Sequence, residues 1–307
     1  MPTISCEEKS EIDEDWKTNL IDSVIIALHK DETANLDEIN RRVYYYYTCC
    51  APASIYKFYT ARTYNLENIE NNRMWYSSPS CFNDPFDCNL AVDGDAIFKS
   101  FMRTLPEAKK IHEGSPEWLE FRKIVKEEVD SLRMQLKELR ETTGVTCFSE
   151  SYEEPLMWAH YADNHKGFCV EYNLLEFNKL LSFTAVPVLY SDARPKIHSI
   201  NHEKPEESIM ETFIKGIVTK SPQWRYEREW RIIRDTNACG SSWNADKKGA
   251  LLECVQPRSI ILGCESESDT MHRIMDYCKK NEVNLYRMEK SDTGYEFTKR
   301  DILIFDP

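Results

Sequence analysis

The candidate strands of this chain are short, rich in aromatic residues and separated by irregular connections, and this pattern constrains its fold most strongly. They include IYKFYT (Ile55–Thr60), RMWYSS (Arg73–Ser78) and VTCFS (Val145–Ser149). The candidate helices come in groups, whereas a doubly wound parallel sheet requires helices and strands to alternate. The sequence therefore predicts an α+β fold, with a mostly antiparallel β core that is split or forms two sheets and has helices around it.

Two helical regions stand apart from this predicted β core. Residues 1–50 form an acidic helical extension, and residues 1–40 alone hold eleven Asp or Glu against three Lys or Arg. Residues 95–141 show a long helical pattern in which Ser115, followed by Pro and Glu, is a good helix start. We expect residues 51–307 to form a single α+β domain, with 95–141 as a helical insert packed on the sheet.

Charge and cysteine usage limit the classes of partner. The 307 residues carry a net charge of -13, and the absence of a strongly basic patch disfavours binding of duplex nucleic acid. The eleven cysteines include no CxxC pair, and we find no signal peptide, so we expect a cytoplasmic protein. The first apolar run, Val24–Leu28, is too short to span a bilayer, so we expect no membrane partner.

The stretch MWAHYADNHKGFCVEY (Met157–Tyr172) concentrates polar and aromatic side chains in sixteen residues. It is typical of a helix end, a glycine turn and a strand. His160 and Tyr161 are candidates for ligand contact. The alternative is that Trp158 and Tyr161 belong to the core and that His165 lies at a solvated helix end. His160 and His165 are five residues apart, while zinc pairs on one helix are four apart, so we expect no metal there.

The segment PSCFNDPFDC (Pro79–Cys88) is predicted to be a fixed turn because Pro, Asn and Asp dominate it. Asn and Asp side chains beside Pro often bond only to their own turn. The alternative is a rigid loop that presents Asn83 and Asp87 to a ligand. Both interpretations are compatible with the sequence.

The segment SPQWRYEREWRII (Ser221–Ile233) combines large aromatic residues with acidic and basic ones. On a strand, Glu227, Glu229 and Arg231 would share one face, because side chains alternate with a period of two. Such a pattern is often a surface ladder of charges. Trp224, however, is too large and apolar for an ordinary solvated hairpin, which favours a site here.

Six blocks of sequence resemble, in order, the bacterial family catalogued as domain of unknown function 2971. They are YKFY (Tyr56–Tyr59), MWYSSPSCFNDPFDC (Met74–Cys88), CFSE (Cys147–Glu150), MWAHYADNHKGFCVEY, KSPQWRYEREWRII and IILG (Ile260–Gly263). The resemblance covers about residues 55–265, so the N-terminal extension and the helical insert look like additions. The family name implies no activity.

A second and more distant resemblance is to small NAD-consuming ADP-ribosyltransferases. The strand Tyr56–Tyr59, the helix Asn65–Asn72, the strand end Tyr76–Ser78 and the Glu227-Arg228-Glu229 motif follow one another in a similar order. The chain departs from that family on the first strand, where Lys57 and Tyr59 stand in place of the expected His or Arg.

This second resemblance implies cleavage of the nicotinamide–ribose bond of NAD, used as a substrate, through an oxocarbenium-like sugar. Glu229 would stabilise the developing positive charge beside the ribose 2'-hydroxyl, and Glu227 would orient or deprotonate an acceptor. The acceptor, whether protein, nucleic acid or water, stays open. The residues expected to bind the ligand come from both strands, the turn and the His160 helix: Tyr56, Tyr59, Tyr76, Ser78, Asn83, Trp158, His160 and Tyr161.

Two further functions are compatible with the sequence. One is a non-catalytic module that binds a small ligand or a partner, with the helical insert as its interaction surface. The other is a metal-dependent hydrolase or nuclease that uses Asp84, Asp87, His160 and His165, since carboxylates and imidazoles are ligands for divalent metals.

Overall fold

The structure, a computed structural model, describes residues 15–29, 35–181, 185–200 and 205–305. The most acidic part of the N-terminal extension, residues 1–14, therefore lies outside the described residues. The described helices are α1 (Trp16–His29), α2 (Leu36–Tyr45), α3 (Thr63–Glu70), α4 (Gly94–Thr104), α5 (Pro116–Thr142), α6 (Pro155–Tyr161), α7 (Leu174–Leu181), α8 (Pro205–Ile217), α9 (Thr236–Cys239) and α10 (Ser268–Asn281). None of these helices is both long and apolar enough to cross a membrane.

The strands of the described ranges are mostly short, as their sequence pattern predicts. They are β1 (Ser54–Tyr59), β2 (Arg73–Ser77), β3 (Ala91–Val92), β4 (Gly144–Ser149), β5 (Phe168–Asn173), β6 (Val186–Pro187), β7 (Leu189–Tyr190), β8 (Lys196–Ile197), β9 (Thr219–Lys220), β10 (Glu229–Arg234), β11 (Trp243–Asn244), β12 (Gly249–Glu253), β13 (Ser259–Leu262), β14 (Asn284–Lys290) and β15 (Phe297–Leu303).

Eleven of these strands form one large sheet in the order β11-β12-β2-β4-β1-β5-β13-β14-β15, and β10 joins it by pairing with both β4 and β6. Within this sheet β13 and β14 run parallel, and the other recorded pairs are antiparallel. Strands β3 and β8, and strands β7 and β9, make two small parallel sheets. The predicted α+β fold is confirmed.

The large sheet divides at β4. One edge of β4 pairs along its whole length with β10. The other edge is shared, because β1 pairs with it at Ser149 and β2 pairs with it at Val145. Between these two points the ammonium group of Lys57 donates a hydrogen bond to the carbonyl of Cys147 at 3.1 Å. The side chain thus satisfies a backbone acceptor between the diverging strands, as buried acceptors require.

Strand β10 buries apolar side chains on one face and charged side chains on the other. Trp230 and Ile232 join the main hydrophobic core, together with Phe148 of β4. Glu229 and Arg231 alternate with them and lie on the opposite face, as the period of two predicts. The strand therefore separates an apolar core from a charged cluster.

The segment predicted as a helical insert is occupied by α4 and α5. The side chain of Ser115 caps α5 by accepting a hydrogen bond from the backbone N–H of Trp118 at 3.1 Å, as expected for a Ser-Pro start. The apolar stripe of α5 forms a second core, which includes Val145 of β4 and Phe213 of α8. The end of α5 is thereby fixed beside the loop that follows β2.

Candidate functional site

A cluster of five buried ionisable side chains lies where β10 begins; we call it the charged cluster. Its members come from the loop after β2, from β9, from the turn before β10 and from the start of β10, and they are Asp87, Lys220, Glu227, Glu229 and Arg231. Each is at most 6% exposed. Three carboxylates meet two cations, so the cluster is one negative charge in excess when every member is ionised.

Within the charged cluster, Arg231 pairs with two carboxylates. Its Nε and Nη2 atoms donate to the two oxygens of Glu229 at 2.7 and 2.9 Å. Its Nη1 and Nη2 atoms donate to the oxygens of Asp87 at 2.9 and 2.7 Å. Burial on its own would raise the pKa of Glu229, but the positive charges of Arg231 and Lys220 outweigh burial and hold that pKa well below its usual range.

Glu227 has the opposite electrostatic balance. Lys220 donates to one of its oxygens and the hydroxyl of Tyr161 donates to the other, both at 2.6 Å. Burial and the negative charge of Glu229 nevertheless raise the pKa of Glu227 above its usual value. The side-chain amide of Asn83, which is exposed, donates to the Tyr161 hydroxyl at 3.3 Å. A chain of hydrogen bonds therefore leads from Glu227 to the surface.

The route by which Glu227 reaches the cluster differs from the sequence prediction. A shared strand face was expected for Glu227, Glu229 and Arg231, and only the last two lie on β10. Glu227 ends a 3-10 helix, Pro222–Glu227, and Arg228 follows it in the left-handed conformation with φ 44°. The prediction of a strand at Glu227 was wrong, because a local turn, not strand alternation, brings its carboxylate to the cluster.

The loop Pro79–Cys88 contributes to the cluster and also to its own turn. The side chain of Asp84 accepts a hydrogen bond from the backbone N–H of Phe86 at 2.9 Å, which is the local role expected of an Asp beside Pro. Asp87 instead binds Arg231, and Asn83 binds Tyr161. The turn interpretation therefore holds for Asp84, whereas presentation of Asn83 and Asp87 to a ligand stays a prediction.

Aromatic rings follow one another along the surface beside the charged cluster. The ring of His160 lies 6.3 Å from that of Tyr161 and 6.5 Å from that of Tyr226, measured between centroids. The ring of Tyr226 lies 6.2 Å from that of Trp224, and the Lys220 ammonium lies 4.9 Å from the Trp224 ring. We call His160, Tyr161, Trp224 and Tyr226 the aromatic strip.

A cleft of about 390 Å³ opens beside the charged cluster; we call it the cluster cleft. Asp87 and Lys220 of the cluster line it, with Trp224 of the aromatic strip. Its walls also include Phe86 and Arg194, whose guanidinium lies 5.8 Å from the Phe86 ring. The cleft falls in the size range of small-molecule sites and joins aromatic surface to charge.

Five of the ten residues predicted for the site come together in the charged cluster and the aromatic strip, and five do not. Glu227, Glu229, Asn83 and Tyr161 are joined by the contacts above, and His160 is exposed in the aromatic strip. None of the ten lines the cluster cleft itself, and the other five also lie outside the network of contacts described above; they are Tyr56, Tyr59, Tyr76, Ser78 and Trp158.

Three of those five residues are buried in hydrophobic cores. Tyr59 stacks on Phe168, with the ring centroids 5.3 Å apart, in the main core. Tyr76 is fully buried in the same core. Trp158 is also fully buried and meets Phe58 edge-on, at 5.2 Å between ring centroids. Their sheet and helix positions turn these side chains inward, so each serves packing in this structure.

The remaining two residues make contacts in other parts of the structure. Tyr56 packs against Tyr152, with ring centroids 5.3 Å apart, on the outer side of β1. The hydroxyl of Ser78 donates to the carbonyl of Arg140 at the end of α5, at 3.0 Å. Ser78 therefore joins the loop Pro79–Cys88 to the helical insert.

The residues considered for a metal site do not come together, because each has its own partners within the protein. Asp84 and Asp87 have the partners given above, and the ring of His165 lies 5.3 Å from that of Phe297 on β15. Among the residues that the structure describes, no three His, Cys, Asp or Glu side chains are grouped as metal ligands would be.

Lys220 is the functional candidate that sequence reasoning missed. It lies on the two-residue strand β9 and contacts Asp87, Glu227 and Glu229 at 3.4, 2.6 and 3.1 Å. Burial would lower the pKa of Lys220, but the surrounding carboxylates raise it overall. A lone lysine ahead of Ser-Pro gives no local signal of this role, because its partners are assembled by the tertiary fold.

Comparison with known proteins gives one match. Residues 157–232 match a family model described as a protein of unknown function, DUF2971. No curated protein and no solved structure matches the chain. The matched segment runs from α6 into β10 and includes Tyr161, Lys220, Glu227 and both members of the Glu229–Arg231 pair. The chain is thus similar to this family over the segment that supplies most of the charged cluster and all of the aromatic strip.

Proposed function

We propose that the cluster cleft binds a nucleotide-type ligand and that the protein cleaves the nicotinamide–ribose bond of NAD. The observation that carries this proposal is the state of Glu227, a buried carboxylate with a raised pKa that accepts a hydrogen bond from Lys220, a residue of the cleft wall. Carboxylates with shifted pKa values at a cleft are typical of active sites. The aromatic strip offers surfaces on which a planar ring stacks.

The proposed chemistry assigns separate roles to the two glutamates. As the C1'–N bond breaks, its electron pair leaves with nicotinamide and the ribose becomes cationic. The excess negative charge of the cluster stabilises this cation. An acceptor hydroxyl then forms the new bond to C1', and its proton passes to Glu227, whose raised pKa suits a general base. Glu229 supplies charge and positions Lys220, since its own pKa is too low for proton exchange near neutral pH.

Release of nicotinamide from NAD by the purified protein tests this proposal. We expect release above the buffer rate, and we expect Glu227→Gln to abolish it while the variant stays folded. Release equal to that in buffer, with water and with candidate acceptors alike, would overturn the proposal.

One observation favours a second candidate, a non-catalytic ligand-binding module. Each charge of the cluster has an opposite charge within 3.4 Å, and fully paired buried networks also occur for structural reasons. In that case the cluster would support the shape of the cleft. NAD would then bind without nicotinamide release, and Trp224→Ala would weaken binding while Glu227→Gln would not.

A further inference from the structure

A second cleft, of about 280 Å³, lies where α5 passes the residues that follow the loop Pro79–Cys88. Three cationic side chains of α5 line it, namely Arg133, Lys137 and Arg140, together with Asn89 and Phe213. We propose that this cleft, which we call the basic cleft, binds a small oxyanion such as phosphate or the phosphoryl group of a small molecule. The proposal is independent of the reaction proposed above.

The charge of the basic cleft is unusual for this chain. The protein has a net charge of -13, yet no Asp or Glu is among the described residues that line this cleft. The three cations are spaced by four and three residues, so they lie on one face of the helix. Three positive charges concentrated in a concave site attract anions more strongly than scattered surface lysines do.

Two of these cations keep N–H groups that are available to a ligand. Arg133 pairs with Asp130 at 2.7 Å, and both side chains are about half exposed, so water weakens this pair. Lys137 forms no salt bridge with any residue that the structure describes. Its ammonium group therefore keeps its donors for an anion.

Arg140 provides a second and independent observation. Its Nη2 atom donates to the backbone carbonyls of Pro79 and Asp87 at 3.4 and 3.3 Å. Its Nε atom is buried and has no acceptor within the described part of the chain. A buried N–H without an acceptor is unfavourable and is rare in proteins. Because an atom that is closed to water is closed to phosphate as well, an oxyanion in the basic cleft would accept this hydrogen bond after a small shift of the Arg140 side chain.

The chemistry of the donors selects the class of ligand. Guanidinium groups match the oxygens of phosphate with two parallel hydrogen bonds, and an ammonium adds a point charge. A phosphate group fits within the cleft, and the ring of Phe213 leaves an apolar wall for a small organic substituent. Because Arg140 also holds the carbonyl of Asp87, a ligand here would stiffen the loop that carries Asp87 into the charged cluster.

Titration with inorganic phosphate at constant ionic strength tests the proposal, with sodium chloride as the balancing salt and calorimetry as the readout. Lys137→Gln is the test variant, because Lys137 is exposed and its loss leaves the fold intact. Lys123→Gln is the matched control, since Lys123 is an exposed lysine on the same helix outside this cleft. We expect saturable binding to the natural protein and to Lys123→Gln, and roughly tenfold weaker binding to Lys137→Gln.

Two outcomes would overturn the proposal. One is an equal affinity of Lys137→Gln and the natural protein for phosphate. The other is the absence of a saturable heat of binding in the natural protein, because the non-specific effect of phosphate, its exclusion from protein surfaces, does not saturate.

Discussion

Arg231 donates two parallel hydrogen bonds to Glu229, of 2.7 and 2.9 Å, inside a charged cluster whose side chains are almost completely buried. Arg231 is completely buried and Glu229 is 4% exposed. Removing charges from water is unfavourable, and only close pairing of this kind offsets that loss. The pair therefore explains why β10 can carry Glu and Arg on one face and Trp and Ile on the other.

Replacing Arg231 should destabilise the protein severely. Arg231→Met leaves the carboxylates of Glu229 and Asp87 buried with only Lys220 to neutralise them, so we expect a loss of about 3–5 kcal/mol in the free energy of unfolding. Urea denaturation measures it. The control is Arg300→Met on β15, whose pair with Glu289 is exposed and should contribute less than about 1 kcal/mol. Equal effects of the two substitutions would contradict the structural role of the pair.

The two glutamates should give opposite dependences of stability on pH. The pKa of Glu229 is lowered on folding, so its stabilisation is present above the usual value of 4.5 and is lost as the pH falls below it. The pKa of Glu227 is raised, so its contribution is present below 4.5 and is lost as the pH rises above that value.

These opposite pH dependences are tested by measuring the free energy of unfolding between about pH 4 and pH 8. The proteins to compare are the natural protein, Glu229→Gln and Glu227→Gln. Relative to Glu229→Gln, the natural protein should gain stability as the pH rises. Relative to Glu227→Gln, it should lose stability over the same range. If the free energies of unfolding of the two variants changed with pH in parallel, the two glutamates would share one environment, which would contradict the structure.

Tyr161 should tune the proton affinity of Glu227. Its hydroxyl donates to the carboxylate and lowers the pKa of Glu227, so Tyr161→Phe should raise that pKa further and lower stability by about 1 kcal/mol. Carbon NMR of the Glu227 carboxyl group measures the titration directly. Tyr64→Phe is the control, because Tyr64 is 56% exposed. An unchanged pKa in Tyr161→Phe would exclude the hydrogen bond.

The turn after α6 depends on close contact between two segments of the backbone. The N–H of Gly263 donates to the carbonyl of Gly167 at 2.9 Å, and a Cβ at Gly263 would overlap the carbonyl oxygen of His165. Gly263→Ala should therefore lower the free energy of unfolding by about 2 kcal/mol or more, since backbone must move. Gly294→Ala, which meets only the flexible side chain of Glu296, should stay within about 0.5 kcal/mol. Similar melting temperatures for both variants would contradict this contact.

Local patterns in the sequence were enough to predict the fold class and several individual positions. The alternation of Glu229, Trp230 and Arg231 along a strand follows from the period of two. The start of α5 at Ser115 follows from capping chemistry. The turn role of Asp84 follows from its place beside Pro. In each case the residues that decide the structure are neighbours in the chain.

The rest of the site depends on contacts between distant parts of the chain. Tyr76 looks like a ligand-binding residue in sequence, yet the antiparallel partners of β2 bury it in the main core. Lys220 carries no local signal, because its carboxylate partners come from another loop and another strand. Glu227 reaches the cluster through the left-handed Arg228, a conformation that a non-glycine residue rarely adopts and that no pattern predicts.

We propose that Glu227 takes part in cleavage of NAD beside the cluster cleft, and release of nicotinamide tests this role most directly. The purified protein, Glu227→Gln and the exposed control Glu128→Gln would be incubated with NAD, with folding of each checked by circular dichroism. We expect release by the natural protein and by Glu128→Gln, and release at the buffer rate by Glu227→Gln. Release at the buffer rate by all three, or equal release by all three, would contradict the claim.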